Sequence, residues 1–178
     1  MKKNLLRDKA IIRLDIGCGG NKQGKDWVGM DYRALPGVDI VQDLEEFPWK
    51  DLPDNSVTVA TATHVVEHIN PAKGVFINFM NEVWRVLKPG GQFAIVTPYA
   101  GSHGYWQDPS HINPCNETTW KYFDPEDKIT QGMLYGIYQP APWQIQLNAF
   151  KKEGNMEVVL VKRKDKKEYH DDHKIHWK

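Results

Sequence analysis

Three aspartates, Asp15, Asp31 and Asp43, each stand at or just beyond a short apolar run, and the first is followed at once by Gly17-Cys18-Gly19-Gly20. Glycines let a backbone approach a ligand closely. A carboxylate after a second run can accept two charge-assisted hydrogen bonds from a ribose diol. One after a third run can accept from an exocyclic adenine amine. Thr63-His64 closes a fourth run. These types in this order point to an adenosine-containing ligand. No Lys-Ser/Thr pair follows the glycines, so a triphosphate cradle is disfavoured. A dinucleotide fingerprint needs a third glycine where Lys22 stands, and that glycine permits close helix–strand packing.

The runs that carry these groups read as strands. Residues 10–16 form a mostly apolar run, 27–30 and 38–41 are shorter ones, and 57–62 are β-branched after the turn-forming Pro53-Asp54-Asn55. Asn70 is a good N-cap with Pro71 at the first helical position, and Val75, Phe76, Phe79, Met80, Val83 and Leu87 recur at helical spacing. Pro89-Gly90-Gly91 predicts the stop, and 93–97 a fifth strand. Only about ten residues separate the first two strands, near the lower limit for a helical crossover, so a turn or loop is expected there. Residues 145–150 and 156–161 alternate around Glu153-Gly154-Asn155, which predicts a terminal β-hairpin. The whole is an α/β sandwich, mostly parallel, with an antiparallel end.

Length and composition bound the rest. The 178 residues suit one domain, 1–178, divided into a ligand platform at 10–98, an insertion at 99–143, the hairpin at 144–163 and a charged tail at 164–178. The 23 basic residues balance 23 acidic ones, which weighs against non-specific nucleic-acid or membrane binding. No apolar run approaches a membrane span, no secretory signal is visible, and two cysteines make no disulfide framework, so a cytoplasmic location is expected. Residues 98–143 hold nine aromatics in 46 positions, against 11% aromatic for the chain, and Asn116 can cap a short helix through Phe123. Those rings can build a sugar- or ring-binding wall or pack as a lid.

Leu14-Asp15-Ile16-Gly17-Cys18-Gly19-Gly20 with Trp27-Val28-Gly29-Met30-Asp31 resembles the cofactor motifs of the class I S-adenosylmethionine-dependent methyltransferases. Val41-Gln42-Asp43-Leu44, Thr63-His64-Val65-Val66-Glu67-His68-Ile69, and the stretch from Glu82 to Gly91 are similar to three further segments of that family, in order. Asp108-Pro109-Ser110-His111 before Thr119-Trp120 resembles small bacterial and phage-type members. The resemblance implies a Rossmann-like class I methyltransferase sandwich and S-adenosyl-L-methionine as cofactor. It places Gly17, Cys18 and Gly19 at the methionine part, with Asp15 organising the loop or meeting the ammonium group. Asp31 and neighbouring Tyr32 fall at the ribose, Asp43 and Leu44 at adenine, and Thr63 and His64 near the sulfonium. Two positions depart from the pattern: Asn21-Lys22 replaces a third glycine and helix start, and Thr58 replaces an acid at the start of the fourth strand.

Methyl transfer gains much from holding the acceptor aligned, and needs a base only when the acceptor loses a proton. His111 is the favoured base; His64 is a second candidate, or a packing or cofactor contact; Tyr99 is a hydrogen-bonding or stacking partner. His103 is a further imidazole of the same region. Glu67 and His68 read as stabilising a loop-to-helix join. His103, Asp108 and His111 offer three metal-ligand atoms, but their spacing matches no strong zinc pattern, so no metal is expected. The expected acceptor is a small hydroxylated or amine-bearing molecule, with nucleic acid and protein acceptors left open. A nicotinamide-dependent oxidoreductase and a non-catalytic adenosine-ligand module are the rival readings.

Overall fold

The computed structural model describes residues 12–164. The expected strand residues Ala10 and Ile11, and the charged tail beyond Lys164, lie outside the described residues. The chain runs β1 (Arg13–Ile16), β2 (Trp27–Asp31), β3 (Ile40–Val41), β4 (Val57–Thr63), α1 (Val75–Val86) and β5 (Leu87–Pro98). Three short helices follow, α2 (His103–Trp106), α3 (Glu117–Lys121) and α4 (Met133–Tyr138), and then β6 (Trp143–Phe150) and β7 (Asn155–Lys162). The seven strands form one sheet in the order β3-β2-β1-β4-β5-β7-β6. Strands β1 to β5 pair in parallel, and β7 inserts antiparallel between β5 and β6. From β1 the chain moves outward to β2 and β3, then returns across β1 to start β4. That reversal opens a crevice at the carboxyl ends of β1 and β4, where such sheets bind ligands.

The patterning foretells most of these elements. As expected, no helix follows β1: residues 17–26 fold as turns, tied down by Gly17 and Cys18 N–H groups that both donate to the Met30 carbonyl (2.7 and 3.1 Å). The departures have local causes. β3 keeps only Ile40 and Val41 of the expected 38–41. α1 does not start at Asn70-Pro71. A 3₁₀ turn at Ala72–Gly74 intervenes, with Lys73 (φ 53°) and Gly74 (φ 74°) in the left-handed region, and Asn70 Oδ1 accepts from the Ala72 N–H instead (2.9 Å). Pro89-Gly90-Gly91 does not break the chain before a strand at 93. β5 already begins at Leu87 and carries the triplet as an irregularity, its register with β4 shifting between Val57↔Leu87 and Val59↔Gln92. α3 stops at Lys121 rather than Phe123, while Asn116 caps it, accepting from the Thr118 and Thr119 N–H groups. Among the described residues no helix is long and apolar enough to cross a membrane.

The aromatic-rich insertion extends the core. α1 buries Phe76, Phe79, Met80, Val83 and Val86. Trp120 and Phe123 meet Phe76 edge-on at 6.3 and 5.7 Å, and Trp143 lies 6.1 Å from Phe93. Trp120 and Trp143 are fully buried, each ring contributing on the order of 2–3 kcal/mol of transfer free energy. On its other side α1 grips the preceding segment. The buried Glu82 carboxylate accepts the Trp49 N–H (2.6 Å) and the Arg85 Nε and Nη2 (2.9 and 2.6 Å). Arg85 also donates to the Leu52 carbonyl (2.9 Å) and to Asp54. Trp49 and Leu52 are thereby held in the core.

Candidate active site

A cavity of about 560 Å³ opens at the switch point, within the range typical of ligand pockets. Gly17, Asp31, Tyr32, Asp43, Leu44 and His64 line it, six of the residues singled out from the sequence. Arg33, Glu45, Val65, His68, Ile69 and Ser110 complete the lining. Gly17 has φ +66°, and a Cβ there would lie 2.5 Å from Val65 Cγ2. Gly17→Ala is therefore expected to cost about 1–2 kcal/mol for the left-handed backbone, plus whatever displacing Val65 costs. Thermal unfolding checks this, and an unchanged Tm would contradict it.

The remaining loop residues brace the site. Buried Asp15 accepts the Gln23 N–H (2.8 Å). Burial pushes its pKa above the ordinary carboxylate value, against the pull of that bond and of Lys22. Its carboxylate is thus used to organise the loop and is not part of the cavity lining. Cys18 and Gly19 also sit behind the lining. Burial first, then the Asp15 and Asp31 charges, push the Cys18 thiol up to about 11, which keeps it protonated and a poor nucleophile. Lys22, where a dinucleotide fold has glycine, pairs with Asp39 (2.6 Å), and Asp39 also accepts the Gly29 N–H (2.9 Å). With no helix here to pack on the strand, the third glycine has no task.

Asp31 is the hub of this wall. Its Oδ2 accepts the Gly19 N–H (2.9 Å), and its Oδ1 accepts the Arg33 N–H (3.0 Å) and Nε (3.1 Å). Burial opposes its ionisation more than any other single influence, yet the bonds from Arg33 and Gly19 together with the Arg33 charge outweigh it, and the carboxyl is held below the usual range. Arg33 also lies over the exposed Tyr32 ring, 5.1 Å from its centroid. Asp43 is exposed and accepts the Glu45 N–H (2.9 Å) beside the buried Leu44. Glu45 itself accepts the Asn70 N–H (2.7 Å).

Opposite, His64 stands at φ 55°, outside the conformations a non-glycine residue prefers. Its N–H donates to the Val96 carbonyl (2.8 Å), and its Nδ1 lies 3.2 Å from Glu67 Oε1. Because an ionised carboxylate only accepts, this contact selects the neutral tautomer with the hydrogen on Nδ1 and the lone pair on Nε2. Glu67 is fully buried and also accepts the Thr97 hydroxyl (3.0 Å). Its backbone carbonyl accepts the Ile112 and Asn113 N–H groups (2.9 and 3.0 Å), tying the insertion to the loop after β4.

The other expected residues lie farther back. His111 does not line the cavity; its Nδ1 is 2.7 Å from the Tyr105 carbonyl, and its ring meets that of His68, which does line it, at 4.8 Å. Tyr99 also lies off the lining and packs on Phe150, centroids 4.8 Å apart. Thr63 is exposed at the end of β4 and off the lining as well. None of the nine insertion aromatics reaches the lining, so they build no wall there. The trio His103, Asp108 and His111 is not the one brought together. His111 instead joins Glu67 and His68, with ligating atoms within 4.8 Å of one another. Asp39 and Glu82 are structural acids that sequence reasoning passed over; Glu67, read as stabilising a loop-to-helix join, also holds His64 and Thr97.

Sheet order, switch-point cavity and an acid at the end of β2 define a Rossmann-like class I methyltransferase fold. Residues 14–95 match the family model described as a methyltransferase domain. A protein of Mycolicibacterium smegmatis named as a probable S-adenosylmethionine-dependent methyltransferase is 37% identical over 103 residues, 48% of this chain. The match spans only 37% of that relative's own length. An S-adenosylmethionine-dependent methyltransferase from Archaeoglobus fulgidus superposes with TM-score 0.57 at 18% identity, covering 85% of this chain and 86% of its own. The YcgJ protein from Bacillus subtilis gives 0.55 at 15% identity, with 86% and 92% covered. Over residues 14–95 the chain is thus similar to a methyltransferase domain, and its fold is that of the class I methyltransferases.

Proposed function

We propose that this chain transfers a methyl group from S-adenosylmethionine to a small hydroxylated or amine-bearing acceptor. The observation that carries the reading is the buried Asp31 carboxylate in the lining of the switch-point cavity, which His64 also lines. When bound, the cofactor supplies a methyl carbon activated by positive sulfur; the acceptor's lone pair forms the new bond as the carbon–sulfur bond breaks and its electron pair returns to sulfur. Asp31 would accept one ribose hydroxyl on the Oδ2 lone pair that Gly19 leaves unused, and the other on Oδ1 in place of the Arg33 side chain. Asp43 and Leu44 frame the adenine, and the backbone at Gly17 lies along the methionine part. Tyr32 covers the open side.

His64 is the base in this reading. Glu67 fixes its ring through Nδ1, leaving Nε2 to take the acceptor's proton, while His111 is a positioning residue behind His68. The neutral charge balance favours a small acceptor over a nucleic acid, with protein acceptors the other outcome of an acceptor screen. The free thiols of Cys18 and Cys115 accord with a reducing, cytoplasmic setting.

Two measurements test the proposal. Calorimetry with S-adenosylhomocysteine and, separately, with NAD should give binding to the first alone. Labelled methyl transfer into metabolite pools should then identify an acceptor, and cofactor binding without transfer to any pool would instead favour a non-catalytic module. For a hydroxyl acceptor, His64→Gln is expected to lower kcat by about 10²- to 10⁴-fold, the usual worth of a positioned base, with a much smaller change in cofactor affinity. A wild-type kcat would remove His64 from the mechanism.

A further inference from the structure

We propose that Glu67, His68 and His111 form a divalent-cation site beside the cofactor cavity, with Zn²⁺ the ion its donors suit best. One ligating atom from each lies within 4.8 Å of the others. Both imidazoles are already set as ligands. His111 Nδ1 is 2.7 Å from the Tyr105 carbonyl, and His68 Nδ1 is 3.3 Å from the Ser110 carbonyl. A carbonyl only accepts, so each Nδ1 carries the hydrogen and each Nε2 the lone pair, the outer-shell arrangement that fixes tautomer and ring direction in metal-bound histidines.

Glu67 supplies the independent observation. It is fully buried, and among the described residues its side-chain partners are the Thr97 hydroxyl and the His64 ring, with no lysine or arginine paired to it. A buried carboxylate is costly without a compensating cation, and an ion held with His68 and His111 supplies that charge. Each carboxylate oxygen keeps a lone pair beyond its present bond. Two histidines and one glutamate are a ligand set of catalytic zinc sites, which leave a further position open. Ligands at about 2.0–2.2 Å from one tetrahedral ion lie about 3.3–3.6 Å apart, so the exposed His68 side chain has to swing inward to close the site. Asp108 is a second carboxylate beside His111: its Oδ1 accepts the Ser110 N–H and hydroxyl (2.8 and 2.6 Å), and its Oδ2 lies 3.9 Å from His111 Nε2.

His68 and Ser110 line the cavity, so an ion held there would stand at its wall. Resting on the methyltransferase reading, this makes an oxygen acceptor the natural partner, since a bound cation polarises a hydroxyl and eases its deprotonation.

The test is metal binding by the full chain after chelation, read by calorimetry with Zn²⁺ and by visible absorption with Co²⁺. One equivalent is expected, weakened in His68→Ala and in His111→Ala by at least the roughly 10- to 100-fold that even outer-shell changes cost. It should persist in a variant with His170, His173 and His176 all replaced by alanine. Exposed His68 can be removed without opening the core, so His68→Ala decides the matter should His111→Ala fail to fold. Unchanged affinity in His68→Ala, or loss of the equivalent with the three tail histidines, overturns the site. S-adenosylhomocysteine binding is measured on the same samples: a chain that binds zinc but not this ligand keeps the site and loses the methyltransferase reading, and the converse result loses the site alone.

Discussion

Asp31→Ala is expected to raise the dissociation constant for S-adenosylhomocysteine by roughly 100-fold while the chain stays folded. A hydrogen bond to a charged group contributes about 1.5–3 kcal/mol, and a ribose diol makes two to one carboxylate. Losing both, with water partly replacing them, leaves a deficit of about 3 kcal/mol, or roughly 100-fold in affinity. The carboxylate is also the anchor for the Gly19 N–H and for Arg33, so its removal loosens the glycine loop and releases the arginine into the cavity mouth. Asp31→Asn, which keeps the shape and loses the charge, should fall between. Because the native carboxyl is held below its ordinary pKa, the stability it contributes is complete above the usual carboxylate range and is lost as pH falls through the native value. Calorimetry on variants with native circular dichroism checks the prediction; wild-type affinity in folded Asp31→Ala would falsify the assignment of Asp31 to the cofactor.

The largest stability effect is expected at Glu82. Glu82→Ala should destabilise the chain by about 2–4 kcal/mol, since it leaves the Trp49 N–H without its acceptor and half-buried Arg85 with Asp54 as its remaining counter-charge. The substitution strands the Trp49 N–H and removes the main counter-charge of Arg85, whose pKa is raised chiefly by its hydrogen bond to Glu82. Segment 49–54 then loses its tie to α1, and Trp49, 1% exposed and edge-on to Phe79 at 5.9 Å, loses its seat. Urea denaturation measures the loss. The Glu82→Ala/Arg85→Ala double variant should be less damaged than the two single losses added together, because the stranded charge is gone. Strict additivity would mean the two act independently.

How much of this was readable in the chain depends on how local each cause is. Asp31 and the glycine loop were, because an acid or a glycine pair closing an apolar run is a signal contained in a few residues. The hairpin was, because alternation on both sides of Glu153-Gly154-Asn155 has one reading. The start of α1 was misplaced: Asn70-Pro71 is a sound helix opening by local rules, yet Lys73 and Gly74 turn left-handed and delay the helix to Val75. The helix stops just ahead of Pro89-Gly90-Gly91 as expected, but the start of β5 at Leu87 was missed, because β5 carries the triplet as a register shift against β4, which only pairing reveals. Glu67 could not be assigned from its neighbours, since Thr97 lies 30 residues away and the Ile112 N–H even farther along the chain. The insertion aromatics were visible as a cluster, but whether rings face a ligand or the core is decided by Phe76 and Phe93, on other elements.

The paired bonds from Ile112 and Asn113 to the Glu67 carbonyl act as a mechanical interlock. The peptide they hold belongs to the residue whose carboxylate meets His64 Nδ1, so a displacement of the chain at Ile112 and Asn113 would be transmitted through one residue to that ring.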